Sequence, residues 1–111
     1  MNKKFYYRGD TFIFPFGLQD ESGEYVNFEA GDIVKCGVKS TINDTEYALY
    51  KELEVMENTD ELVFIFYPEE TKELMAGKYT RELEHTRGDY VTTIYQEEIT
   101  VKGDVVVWKQ L

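Results

Sequence analysis

Cysteine, histidine, proline and positive charge are all scarce in this chain. Its 111 residues contain one cysteine, so no intrachain disulfide can form and the fold must hold by packing. Disulfide-free chemistry suits a reducing compartment. Cys36 stands in the strand-like run Ile33-Val34-Lys35-Cys36-Gly37-Val38-Lys39 and reads as a small core residue. A catalytic thiol would need imidazole and amide or carboxylate partners, and His85 is the one histidine. No zinc-type ligand spacing accompanies it, so His85 reads as a strand histidine rather than a metal ligand.

Twelve Lys and Arg face 22 Asp and Glu, a net charge of −10. Nucleic-acid phosphate and anionic lipid both require Lys/Arg for counterion release, and no stretch is dense in either. Neither partner is expected. No apolar run approaches the roughly 18 residues of a membrane helix. The start, Met1 to Arg8, is basic but has no apolar run or cleavage site, and does not read as a signal peptide.

Catalytic signatures are missing too. Glycine-rich phosphate loops, Cys-x-x-Cys pairs and nucleophile elbows do not occur. Of the adjacent acid pairs (Asp20/Glu21, Glu69/Glu70, Glu97/Glu98), Glu97/Glu98 falls on a strand, where neighbours point to opposite faces. The facing carboxylates of glycosidase chemistry are not formed that way. Asp20-x-Ser22-Gly23-Glu24 gathers oxygens but lacks the spacing and closing glutamate of a calcium loop. Arg-Gly-Asp occurs at 8–10 and 87–89, where Gly and Asp are ordinary turn formers. The expectation is therefore no catalytic, cofactor-binding or metal-ligating residues, no cofactor and no enzyme activity.

Aromatic residues are abundant, with nine Tyr and seven Phe, which argues against disorder and for strands. Phe12, Phe14, Phe16 and Leu18 alternate with their neighbours, the period of a half-buried strand. Pro15 makes that strand an edge or breaks it near Gly17. Asp20 to Gly23 is a turn, and Glu24 to Phe28 a short strand or arm. A strand from Asp32 to Thr41 should turn Ile33 and Val38 inward. Asn43-Asp44 is the next turn. Tyr47, Leu49, Leu53 and Val55 alternate, favouring a strand over the helix that Ala, Leu, Lys and Glu also permit. Leu62 to Tyr67 is continuously apolar, the pattern of the most buried strand. Pro68, Glu69 and Glu70 open a connector helix that Gly77 should close. Lys78 to Thr86 turns at Arg87-Gly88-Asp89 and returns as Tyr90 to Lys102. In the first arm Tyr79, Leu83, Arg81 and His85 share a face. In the second, Val91, Thr93 and Tyr95 do, and Ile94 interrupts the alternation as a bulge would.

These features predict one all-β domain over residues 1–111, an antiparallel β-sandwich of about seven strands, which the resemblance described next implies is Ig-like. A short connector helix lies near 68–76, and 103–111 is an arm or edge strand. The segment Arg8 to Val26 with Ala30-Gly31-Asp32-Ile33-Val34 resembles the opening of Ig-like domains in tailed-phage and prophage structural proteins. The acidic connector Pro68-Glu69-Glu70-Thr71-Lys72-Glu73-Leu74, then Ala76-Gly77-Lys78-Tyr79 and a hairpin ending in Ile99-Thr100-Val101, is similar to their second half. Over roughly Phe5 to Val101 the chain resembles the amino-terminal domain of the baseplate upper protein family.

The resemblance implies a structural role and no catalytic residues. The chain lacks the linker and receptor-binding head of a baseplate protein, so a small free-standing tail, baseplate or other virion-associated component is the expectation. It would be assembled in the bacterial cytoplasm and located in the virion. Its partners would be other virion proteins, with homo-oligomers, and Tyr95, Val106 and Trp108 as candidate interface residues. The alternative is a carbohydrate- or cell-surface-binding module using exposed aromatics among Tyr6, Tyr7, Tyr25, Tyr47, Tyr50 and Tyr90.

Overall fold

The computed structural model describes residues 4–41 and 44–103. Among them nine strands and one helical turn follow in order: β1 (Phe5–Tyr7), β2 (Phe12–Phe16), β3 (Leu18–Gln19), β4 (Tyr25–Val26), β5 (Ile33–Lys39), β6 (Leu49–Glu54), β7 (Leu62–Phe66), α1 (Pro68–Thr71), β8 (Gly77–Arg87) and β9 (Tyr90–Lys102). The larger sheet runs β1-β9-β8-β5-β6, with β1 parallel to β9 and the other pairs antiparallel. A two-stranded ribbon, β2-β7, faces it, and β3-β4 forms a small hairpin beside the ribbon. The two layers face each other as a β-sandwich. The all-β expectation is met.

The core between the layers follows from period-two alternation. Phe12, Phe14, Phe16 and Leu18 all point inward with Phe64 and Phe66 from β7, against Val34, Cys36, Val38, Leu83, Ile99 and Val101 of the larger sheet. Rings interlock across it: Tyr6 lies 5.0 Å from Phe12 and 5.2 Å from Phe14, and Phe16 lies 5.2 Å from Tyr95. Each buried Phe stabilises by about 1.5–3 kcal/mol. Burial pushes the Cys36 thiol up to about 12, which keeps it protonated at neutral pH.

The turns behave as their residues dictate. Gly31 has φ +96° and the Asp32 N–H bonds the Glu29 carbonyl at 3.0 Å, which is a turn needing glycine at its third position. Gly88 has φ +59° in the two-residue β8–β9 turn, and no described non-glycine residue has positive φ. That is the glycine-first hairpin turn. The bulge expected at Ile94 is present: Leu83 pairs with Tyr95 and Glu84 with Thr93, so Ile94 is the extra residue.

Several expectations need correcting. The bulge reverses the strand's parity, so Val91 and Thr93 are exposed instead of sharing the half-buried face of Tyr95. Val34, Cys36 and Val38 face the core, which places Ile33 on the other, partly exposed side. Segment 49–54 is a strand, and the helical alternative falls. The helix is a single turn, Pro68–Thr71, capped at Lys72. Gly77, with φ +150°, instead opens β8. The Glu70 carboxylate accepts the Tyr67 N–H at 2.8 Å and so fixes the entry, but no apolar face sustains further turns. Strand β7 is not the most buried: Phe64 and Phe66 are inside, Val63 is 40% exposed and Ile65 half-buried.

A charged side chain lies at the centre. Arg81 projects inward from β8 and is fully buried. Its Nη2 bonds Glu97 Oε1 at 2.8 Å and its Nη1 donates to the Tyr6 hydroxyl at 2.9 Å. The guanidinium carbon lies 4.6 Å from the Phe14 centroid and 5.7 Å from those of Phe16 and Tyr95. Glu97 also meets Lys4 at 2.9 Å and accepts the Tyr95 hydroxyl. Burial works against its charge, yet Lys4 and Arg81 hold its carboxyl below the usual range.

Breaking this pair from one side strands a buried charge. Glu97→Ala is expected to cost about 3–5 kcal/mol in urea unfolding. The double change Arg81→Met with Glu97→Gln should recover most of that loss, because no uncompensated charge remains.

Candidate interaction surface

Two features of the surface carry chemistry, and both lie on or beside the ribbon. The first is its outer face. In the β2-β7 register Ile13 stands opposite Ile65 and Pro15 opposite Val63. These are the residues that alternation turns away from the core. Ile13 is 55% exposed and Val63 40%. The four side chains form a patch with no charge inside a domain of net charge −10.

The ribbon's backbone edges are poor templates for a further strand. Pro15 offers no N–H to any chain laid along β2. On the β7 side, Lys51 Nζ donates to the Ile65 carbonyl at 2.6 Å and pairs with Glu70 at 3.1 Å. Proline and lysine at sheet edges suppress strand addition. What remains available is the face.

The second feature is a cleft of about 790 Å³ continuous with the patch at Pro15. Phe16, Gln19, Tyr25, Asp60, Glu61 and Tyr95 line it. Tyr25 is 73% exposed. A Cβ at Gly17 would lie 3.0 Å from the Tyr25 ring, and Gly17 does not have a positive φ. Glycine is needed there to seat the ring rather than to make a turn. Behind the hairpin, Asp20 Oδ1 accepts the Ser22 N–H at 2.9 Å, its hydroxyl at 2.6 Å and the Glu24 N–H at 3.1 Å. That carboxylate shapes the β3–β4 turn, and among the described residues no three His, Cys, Asp or Glu side chains are grouped to hold a metal.

The residues expected at an interface are divided. Tyr95 sits at the inner end of the cleft, half-buried, its ring against Phe16 and its hydroxyl on Glu97. It serves the core and the cleft together. Val106 and Trp108, with the arm expected at 103–111 from Asp104 onward, lie outside the described residues, as does Asn43. Of the tyrosines expected outside, Tyr25, Tyr47, Tyr50 and Tyr90 are exposed, whereas Tyr6 is in the core. Tyr6 is drawn in because Arg81 needs its hydroxyl. Tyr47 lies over Gly37, where a Cβ would sit 2.0 Å from its ring, and stacks 5.0 Å from Tyr50.

His85 belongs to a buried anchor that sequence patterning missed. Asp32 is 2% exposed. Its carboxylate accepts Arg87 Nε and Nη2 at 2.9 and 2.8 Å, the Glu29 N–H at 2.9 Å, and lies 2.8 Å from His85 Nε2. The Arg87 guanidinium, with the Glu29 amide and His85, holds the Asp32 carboxyl well below the usual carboxylate range against the opposing effect of burial. Arg87 is thereby committed to the fold, so the Arg-Gly-Asp at 87–89 is a hairpin turn. Arg8 likewise reaches the Leu74 carbonyl at 3.2 Å.

Among the described residues no helix is long and apolar enough to cross a membrane. No protein-family model, curated protein or solved structure matches the chain.

The Asp32 anchor gives a pH signature. Its folded pKa is depressed, so its contribution is complete above the unfolded value of about 3.9 and is lost as pH falls below it. Asp32→Asn should therefore cost roughly 1.5–3 kcal/mol at neutral pH. In urea unfolding, the gap from wild type should narrow steadily below about pH 4.

Proposed function

We propose that this chain is a non-enzymatic structural protein of a tailed phage or prophage, a tail, baseplate or other virion-associated component that acts by protein–protein assembly. The observation that carries the reading is the ribbon's outer face. Strands covered on both faces read as continuous apolar runs, and strands covered on one face alternate. Leu62 to Phe66 is a continuous run, yet the domain itself covers only its Phe64 and Phe66 side. The pattern suits a strand whose second face is covered by another molecule.

The partner's chemistry follows. It presents an apolar β-face, because the ribbon edges are blunted, and it carries basic residues around that face, because Asp60 and Glu61 flank the patch and the chain's net charge is −10. Other virion proteins are the partners, in the virion or during its assembly in the bacterial cytoplasm. Symmetric self-association adds a further contact, which sedimentation of the isolated chain reads directly. The resemblance to phage Ig-like domains supports the setting, and the protonated Cys36 fits a domain that does no thiol chemistry.

Two measurements test this. Reading frames flanking the gene should encode tail tube, tape-measure, baseplate or capsid proteins. Sugar hydrolases, sortase substrates or transporters there would move the assignment to a carbohydrate- or cell-surface-binding module. Co-expression with those neighbours should yield a complex that Ile13→Lys loses. The isolated Ile13→Lys domain should keep its stability within about 0.5 kcal/mol, as an exposed position allows.

A further inference from the structure

We infer that the segment Val105-Val106-Val107-Trp108 lies over the ribbon's outer face of its own chain until a partner displaces it; only the partner's part in this rests on the assembly reading. The segment is outside the described residues, and three observations bring it to this face. First, the face is apolar at the end nearest the segment. Ile13, 55% exposed, stands opposite Ile65 there. Tyr67, 51% exposed, continues the outward side of Val63 and Ile65. Grouped apolar side chains of this kind mark a contact site.

Second, the segment starts within reach. The Arg8 N–H bonds the Lys102 carbonyl at 2.9 Å, and a Cβ at Gly103 would lie 3.7 Å from Arg8 Nη2. Arg8 and Gly103 therefore leave the larger sheet side by side. Tyr6 lies 5.0 Å from Phe12, which puts this exit on the β2 side of the sandwich. Ile13 is five residues on from Arg8 and Trp108 five on from Gly103, each a span of at most about 18 Å. A turn shortens the first span, with the Asp10 N–H on the Tyr7 carbonyl at 3.0 Å, so an extended segment from Gly103 matches it. Third, the chemistry fits. Four consecutive apolar residues precede Lys109, an apolar contact with a basic flank, which suits a domain of net charge −10. Extended, the run turns Val106 and Trp108 to one side. The tether keeps the segment at high effective concentration, whereas the same net charge repels a second copy that would bring another.

Trp108 is the chain's one tryptophan, so its emission reports on this segment alone. Acrylamide quenching of the full chain should be independent of protein concentration. Ile13→Lys and Val106→Asn should each raise it about twofold or more, the change expected when a segment closed at least about half the time is released. Tyr50→Lys, the same charge change on the exposed side of β6, should leave it as in wild type. In the isotope-labelled chain, NOEs should join the Trp108 indole to the Ile13 or Ile65 methyl groups, and unchanged amide shifts in the core strands of each variant verify the fold. Quenching unaltered by both Ile13→Lys and Val106→Asn, or raised equally by Tyr50→Lys, would overturn the assignment. So would NOEs to another surface, or shielding that grows with protein concentration, which would put a second copy's segment on the face. A solvated Trp108 alongside a neighbour complex that Ile13→Lys still abolishes would remove the cover and leave the assembly face standing. A Trp108 released by Ile13→Lys, with no neighbour that binds, would keep the cover and remove the assembly reading.

Discussion

A guanidinium cannot sit between two β-sheets unless its charge is balanced and its donors are used, and much of this domain's interior is arranged around that requirement. Arg81 draws on three of the surrounding strands. Glu97 comes from β9, the Tyr6 hydroxyl from β1, and the rings of Phe14 and Phe16 from β2 across the core. Arg81 Nε has no hydrogen-bond partner, so the rings rather than further oxygens complete its surroundings. A buried pair of this kind adds little to stability over an apolar replacement. Its effect is on uniqueness. With Arg81 inward, Glu97 must lie on the inner face of β9, and β1 must sit where Tyr6 can reach. A one-residue slip of β9 would put Glu98 inside and leave Arg81 unpaired.

That dependence separates what could be read in the sequence from what could not. The alternation of Phe12, Phe14, Phe16 and Leu18 is a local signal, and all four are buried. The bulge was legible because Ile94 breaks a period that Tyr95, Ile99 and Val101 otherwise keep. The turns at Gly23, Gly31 and Gly88 were legible because their conformations need glycine. The face Arg81 shares with Tyr79 and Leu83 was legible too, but the charge pairing that buries Arg81 and Asp32 was not, because it depends on partners sixteen and fifty-five residues away. Tyr6 was misread as an exposed aromatic for the same reason. The helix was overextended because its start signals are local and genuine, whereas its length depends on an apolar face that Glu73 and Met75 do not supply.

The continuous run Leu62 to Phe66 was misread in a more useful way. Its pattern is that of a strand covered on both sides, and the isolated domain covers one. The mismatch concerns composition: Ile13, Pro15, Val63 and Ile65 are all apolar and stand together on a domain of net charge −10. A single exposed apolar residue would mean little. Four in register on paired strands form a continuous area, and such areas mark contact sites. The candidate cleft was less legible, because Asp60 and Glu61 read as turn and strand-end acids and Gly17 as a strand break.

The ribbon also shows how one surface can invite packing and resist aggregation. A two-stranded sheet with both edges open would template further strands. Here one edge lacks a donor at Pro15 and the other has its Ile65 carbonyl taken by Lys51, itself held by Glu70. Lys51 also lies 5.1 Å from the Phe66 ring centroid, so the blocking ammonium is anchored from the core side as well. Closing the edges leaves the face as the one extended apolar surface of the ribbon, and a face accepts a partner by shape rather than by backbone hydrogen bonding. Backbone pairing accepts almost any strand, whereas face packing needs matched side chains and, around an acidic domain, complementary charge. The blunted edges therefore suppress the strand addition that is a hazard common to β-proteins, and leave side-chain packing as the ribbon's means of meeting another surface.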